Sequence, residues 1–298
     1  MPHVVYHFTV YLFRKLALLA YKILGAERSS LWANGVIGTY FLKIVYKNIN
    51  NVCVFSSSEG LKLLLTPKEA SLLGLMYFGS INPIETELIK KKLKKGDVFI
   101  DIGTYIDGWH SLLAAKFVGR SGKVFAFEPY PKFYKRLIRN IDLNKIDNIT
   151  AEKIAVSNKN GYSSFFPADN ISSFFEKHAN AINKNSQPVK VRTTTLDRYV
   201  KDKKISKIDL IKIDVECAEM MVLEGAIRTL SKRDAPDLLV EVVNDYLKIA
   251  GSTEEQLVKF LKKLEYKTYF IDHTGLKPYH KVDLSQRNLN LYFSKKQI

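Results

Sequence analysis

The chain has 298 residues, 46% hydrophobic and 26% charged, the balance of an ordinary soluble globular protein. Its 46 Lys and Arg against 30 Asp and Glu give a net charge of +16, but these cations are spread along the chain and no homeodomain, zinc-finger or RNA-recognition signature accompanies them, so a lysine-rich surface is favoured over a nucleic-acid partner. Two distant cysteines, Cys53 and Cys217, exclude a disulfide framework and suit a reducing, cytoplasmic compartment.

Val4 to Leu24 is apolar but carries His7, Arg14, Lys15 and Lys22 on one helical face, opposite Val4, Phe8, Leu12, Leu16, Leu19 and Ile23. Cations inside the run argue against a spanning segment, and their mid-segment position argues against a signal peptide. An amphipathic helix remains, suited equally to packing on protein and to lying on an anionic membrane surface. Val52 to Phe55 and Leu61 to Leu65, separated by the turn-like Ser56 to Gly60, predict a hairpin. Asn82 and Pro83 then introduce a helix over 84–93, which Lys94, Lys95 and Gly96 close. The expected organisation is an N-terminal extension over 1–80 and a main domain over 81–298.

The main domain is organised by residues 95–131. Asp97 to Gly103 predicts a strand and Thr104 to Gly108 a turn. Ser111 to Val118 predicts a helix, and Lys123 to Pro129 a second strand. Strand, glycine turn, helix and strand of this length make half of a doubly wound nucleotide-binding sheet. A basic helix over Pro131 to Leu143 and a strand over Ile149 to Val156 follow. Ser157 to Pro188 is too long for a simple connection and is expected to form a lid, hairpin or substrate loop. Ile208 to Asp214 is another buried strand, Ala218 to Leu230 a helix, and Leu238 to Val243 a strand. Ser252 with Glu255 has capping-box spacing for a helix reaching about Leu264, and Lys267 to Ile271 and Leu289 to Phe293 are the last strands. The pattern is α/β with an antiparallel closing pair.

The candidate chemistry lies at strand ends. Gly103 and Gly108 have the outer spacing of a phosphate loop, but Trp109-His110 follows where such a loop needs Lys and Ser or Thr, and G-x-G-x-x-G is absent. A nucleoside ligand without a pyrophosphate fits better. Glu128 ends the second strand, where a carboxylate accepts from ribose hydroxyls. Asp214, Glu216 and Glu219 follow a buried strand. Asp214 or Glu216 is a candidate base, with the choice open, and Glu241 is a further candidate, while Glu219 also suits a helix N-terminus. His110, at a helix start, has an ordinary structural explanation. No His, Asp and Glu set has metal-ligand spacing in the chain, so no metal is expected.

Four pieces in order resemble the FkbM family of S-adenosylmethionine-dependent methyltransferases: Gly96 to Gly103, Phe127 to Pro131, Thr194 to Asp197, and Lys212 to Glu219. The resemblance implies a class I methyltransferase (Rossmann-like) fold, a seven-stranded sheet with one antiparallel strand. It implies that Asp101, Gly103 and the turn with Tyr105 and Gly108 hold the methionine part of S-adenosyl-L-methionine. Glu128, with Pro129 beside it, would hold the ribose, and the Ala155-Val156 edge would approach the adenine. It implies O-methylation of a hydroxyl on a sugar, glycolipid or related small molecule. Two departures stand out: the turn has one residue more than D-x-G-A-N-x-G, with Tyr105 for the usual Asn, and Cys217 stands where the family has glycine. The altered turn and apolar N-terminus motivate the alternative of an inactive glycan- or lipid-binding descendant.

Overall fold

In Val98-Phe99-Ile100-Asp101-Ile102 all side chains but the first are buried, as a strand covered on both faces requires. A computed structural model of the chain describes residues 52–66, 71, 74, 75, 78–105, 107–167, 172–182, 187–279 and 289–296. The helix expected over 4–24 lies outside them. Among the described residues no helix is long and apolar enough to cross a membrane.

The described residues fall into two units, those within 1–91 and 142–145 and those within 92–141 and 146–298. The first contains the expected hairpin, β1 (Cys53–Ser56) antiparallel to β2 (Lys62–Leu65). Leu61, Leu63 and Leu65 point inward with period two. Asn144 clips the second strand, accepting from Lys62 N–H at 2.8 Å and donating to its carbonyl at 2.6 Å. The helix Pro83–Lys92 begins at the proline, whose missing N–H costs nothing in a first turn.

The second unit is built on an eight-stranded sheet. Its strands are β3 (Val98–Ile102), β4 (Lys123–Phe127), β5 (Ile149–Glu152), β10 (Leu210–Ile213), β11 (Asp237–Val242), β12 (Lys267–Asp272), β13 (Gly275–Pro278) and β14 (Leu289–Ser294). The order is β13-β12-β14-β11-β10-β3-β4-β5. β3 pairs parallel with both β4 and β10, and β14 runs antiparallel to both β11 and β12. Seven strands with β14 reversed are the class I methyltransferase sheet. β13, which the sequence analysis did not anticipate, adds an eighth as a hairpin on β12, closed by the two-residue turn His273-Thr274 between paired Asp272 and Gly275. Ile100, Ile102, Ile211, Ile213, Leu238 and Val240 form the centre of the core, each contributing about 1.5–3 kcal/mol by burial. The chain leaves β3 toward β4 on one side and later enters β10 on the other. That switch point opens a crevice at the strands' carboxyl ends.

Beyond β4, three boundaries differ from the sequence expectation. The strand expected over 149–156 divides: β5 stops at Glu152, and β6 (Ala155–Val156) joins a second sheet, because Ile154 turns into the main core. The helix expected over 218–230 divides into Glu219–Glu224 and Ile227–Leu230. Gly225 stands at the break, where an added Cβ would be 2.0 Å from the Ser157 carbonyl oxygen. Asp197 caps the second piece, accepting from the Arg228 and Thr229 N–H groups at 2.8 Å each and from the Thr229 hydroxyl at 2.7 Å. Finally, Thr253, not Ser252, caps the helix Glu254–Lys263, accepting from Gln256 N–H at 3.2 Å.

Residues 157–188 contribute structure of their own. β7 (Gly161–Pro167) and β8 (Ser172–Ser173) pair with each other, and β9 (Val189–Thr194) lies between β7 and β6. The short helix Glu176–Ile182 follows β8. Ala155, Phe165 and Val191 form a small core of their own, with Tyr130 and Phe174 packed against it.

Candidate active site

The turn after β3 is shaped by what it must avoid. Gly103 has φ +86, and an added Cβ would stand 1.8 Å from the Asp214 carbonyl oxygen. Only glycine fits there. Gly103 and Thr104 both donate to the Phe127 carbonyl, at 3.1 and 3.2 Å. Gly108 has φ +66 and abuts Leu137, and Asp107 caps the following helix by accepting from Trp109 N–H at 2.9 Å. That helix runs Trp109–Val118, two residues earlier than expected. Tyr105 sits at φ +59 with its ring edge-on to Phe133, 5.5 Å between centroids.

Glu128 is 4% exposed and accepts backbone N–H groups from both Tyr130 and Tyr105. Burial still pushes its carboxyl up to about 8. The acid at the end of β4 therefore braces the glycine turn against the Pro129-containing loop. Ala155 is buried in the small core and adjoins this region through Tyr130.

Asp101 is 1% exposed. Its Oδ2 accepts from the Ser111 hydroxyl at 2.6 Å, while Oδ1 has no partner among the described residues. Burial raises its pKa, against the pull of Lys212 and His110. A buried carboxylate with an unfilled oxygen beside a glycine turn suits the ammonium group of an amino acid. That chemistry is compatible with the amino-acid part of S-adenosylmethionine.

The acids after β10 meet those after β11. Lys212, 2% exposed, directs its Nζ to Asp214 Oδ2 at 2.6 Å. The Asp214 and Glu241 carboxyl groups also face each other, each acting on the other's charge. Burial works to raise Asp214, but Lys212 and Glu241 hold it below the ordinary carboxylate range. Glu241 goes the other way, pushed well up by the Asp214 charge and by burial. Glu216 rises to about 8, from burial and the neighbouring Asp214 and Glu219, and Glu219 rises to about 7 from burial. Asp214, Glu216 and Glu241 each offer an oxygen within 4.8 Å of the others. The turn that presents Glu216 is strained: Glu216 and Cys217 have φ +52 and +83. It is tied down from the small sheet, where the Ser173 hydroxyl donates to the Glu216 carbonyl at 2.9 Å.

The fold brings Asp101, Gly103, Asp214, Glu216 and Glu241 to one sheet edge, with Tyr105, Gly108, Glu128 and Pro129 along the adjoining turn. Two residues escaped the sequence reading. Lys212 carried a signal, since a lysine two positions before Asp214 in a buried strand shares its face. His178, on the helix Glu176–Ile182, carried none. It is 2% exposed, and its Nε2 lies 3.8 Å from Glu216 Oε2. Its ring meets Tyr246 edge-on, with centroids 4.3 Å apart. Burial lowers its pKa, keeping the imidazole neutral.

A family model described as the methyltransferase FkbM domain matches residues 101–268. The hexuronic acid methyltransferase AglP of Haloferax volcanii is 28% identical over 145 residues, 48% of this chain and 55% of that protein. The 2-O-methyltransferase NoeI of Sinorhizobium fredii is 27% identical over 164 residues, 50% of this chain and 65% of that protein. The matches thus span about half to two thirds of these relatives' length. Among solved structures, an O-methyltransferase of Thermotoga maritima aligns with TM-score 0.39 and 15% identity, covering 86% of this chain and 82% of that one.

Proposed function

The chain belongs to the FkbM methyltransferase family, and from that premise we propose that it transfers the methyl group of S-adenosylmethionine to a hydroxyl of a sugar, glycolipid or related small molecule. The observation that carries the cofactor half is the unfilled Oδ1 of buried Asp101 beside the glycine turn. When bound, S-adenosylmethionine supplies a methyl carbon already activated by its sulfonium charge. The protein's task is then chiefly alignment. Asp101 accepts from the ammonium of the methionine part, and the turn from Gly103 through Tyr105 to Gly108 lets the backbone approach it. Glu128, fixed by Pro129 and two backbone N–H groups, faces the ribose, and the Ala155 edge borders the adenine. Asp214 or Glu216 accepts the proton that leaves the acceptor hydroxyl.

The acceptor class is supported by the two curated relatives, one acting on a hexuronic acid and one named for 2-O-methylation. Residues 157–188 supply the acceptor side, as the Ser173 and His178 contacts to Glu216 suggest. Calorimetry with S-adenosylmethionine tests the first half: binding is expected, and its absence at millimolar cofactor sinks the reading. Methyl transfer to a panel of uronic acids, neutral sugars and lipid-linked sugars tests the second. Acceptor binding without transfer would favour a non-catalytic glycan- or lipid-binding protein.

A further inference from the structure

Two buried polar groups at the acceptor side of the crevice face each other without touching. We propose that His178 and Glu216 together grip one hydroxyl of a sugar acceptor, the hydroxyl beside the one that is methylated. His178 is then an acceptor-positioning residue, and a pair of adjacent hydroxyls is the feature by which the acceptor is recognised. What happens at the second hydroxyl rests on the methyltransferase reading; the grip on the first does not.

His178 is 2% exposed, and neither ring nitrogen has a hydrogen-bond partner among the described residues. Buried polar atoms are rarely left so. Its Nε2 faces Glu216 Oε2, which is equally unpartnered, and their separation of 3.8 Å is too long for a hydrogen bond. Edge-on packing against Tyr246 places the ring but satisfies neither nitrogen. One oxygen about 2.8 Å from both atoms fits the gap. Burial keeps the imidazole neutral and pushes Glu216 up to about 8, so each group offers a donor or an acceptor according to where its proton sits. A hydroxyl suits either arrangement, because it donates one hydrogen bond while accepting another; an ammonium only donates and a carboxylate only accepts. Glu216 and Tyr246, which lie against the imidazole, are themselves partly exposed, so the acceptor enters by displacing side chains at the surface.

The local backbone is built to present Glu216 here. Glu216 and Cys217 keep φ of +52 and +83, and the Ser173 hydroxyl holds the turn by donating to the Glu216 carbonyl at 2.9 Å. The segment that carries Ser173 and His178 thus fixes the main chain of Glu216 and faces its side chain. Asp214 offers an oxygen within 4.8 Å of one on Glu216, within reach of the neighbouring hydroxyl of the same ring. That leaves Asp214 to take the proton from the oxygen being methylated.

The test uses the full isotope-labelled chain in the presence of S-adenosylhomocysteine, titrated with the methyl pyranosides of glucuronic acid, fucose and mannose. Long-range nitrogen–proton correlation reads the rings of the six histidines. His178→Phe, which keeps the aromatic packing, assigns the signal, and His178→Asn replaces it if that variant melts early. At least one pyranoside is expected to shift the His178 nitrogens of the wild-type chain. In methyl transfer to that sugar, His178→Phe should raise the acceptor KM about tenfold, with kcat changed less than about twofold and cofactor affinity unchanged. Removing the hydroxyl beside the methylated one should cost the wild type about tenfold and the variant almost nothing more. No His178 shift with any pyranoside, as when an ordered water alone fills the gap, overturns the proposal. An equal loss on the deoxy sugar in both proteins also overturns it. Calorimetry with S-adenosylmethionine keeps the two readings apart. Cofactor binding without a pyranoside response removes the hydroxyl grip alone. A His178 shift without cofactor binding removes methyl transfer and leaves a sugar-binding site.

Discussion

Gly103 presses against the backbone of Asp214: a methyl group at its Cα would lie 1.8 Å from the Asp214 carbonyl oxygen. This approach joins the turn after β3 to the acids after β10 through one backbone contact. Gly103→Ala meets both the clash and a φ of +86. It is expected to cost about 3 kcal/mol of stability and to abolish S-adenosylmethionine binding. Thermal unfolding and calorimetry check the two effects separately. An alanine variant that binds cofactor normally would mean the turn is not the cradle.

Lys212 and Asp214 form a largely buried pair, 2.6 Å apart with the lysine side chain 3% exposed. Lys212→Met leaves Asp214 beside Glu241 and Glu216 without its cation. The expected loss is about 3 kcal/mol, seen as a lower urea midpoint. Lys212→Met with Asp214→Leu removes both charges and should recover most of that loss. A double variant no better than the single one would show that the lysine acts by packing.

Glu128 links stability to pH. Its folded carboxyl titrates at about 8 against an ordinary 4.5, because burial disfavours the charge. Between those values the folded chain holds a proton that the unfolded chain has released. Its contribution is full below pH 4.5 and is lost as pH rises through 8. Compared with Glu128→Gln, which stays neutral, the wild-type chain should lose about 5 kcal/mol across that window. Urea titrations of both proteins at several pH values measure the difference, and a constant difference would count against a buried, proton-holding Glu128.

Cys217 occupies a backbone position with φ +83 and is fully buried. Cys217→Gly should relax about 1 kcal/mol of strain while giving up a similar amount of burial, leaving stability nearly unchanged. Cys217→Val, β-branched, should cost about 2 kcal/mol or more. Burial also pushes the thiol up to about 12, so labelling by a disulfide reagent should be slow in the native state and fast in urea.

The main sheet was legible because its strands are continuous apolar runs ending in carboxylates, a pattern that buried parallel strands impose. Glycine turns and strand-end acids then marked the crevice. What escaped depended on partners distant in the chain. Gly225 reads as a tolerable helix residue until the Ser157 carbonyl is found against it. The run from Ile149 to Val156 reads as one strand until Thr193 and Thr194 draw Ala155 and Val156 into another sheet. His178 sits in a polar, Asn-rich stretch with no periodicity, and only tertiary folding sets it 3.8 Å from Glu216.

The pairing of β6 with β9 sets Val156 beside Thr194, so the excursion over 157–193 leaves and rejoins the fold at neighbouring points. A segment anchored at neighbouring points adds little closure entropy when it lengthens, so its size and chemistry can drift while the principal sheet stays as it is. Insertions and substitutions there are therefore expected to leave the register of the eight-stranded sheet unchanged.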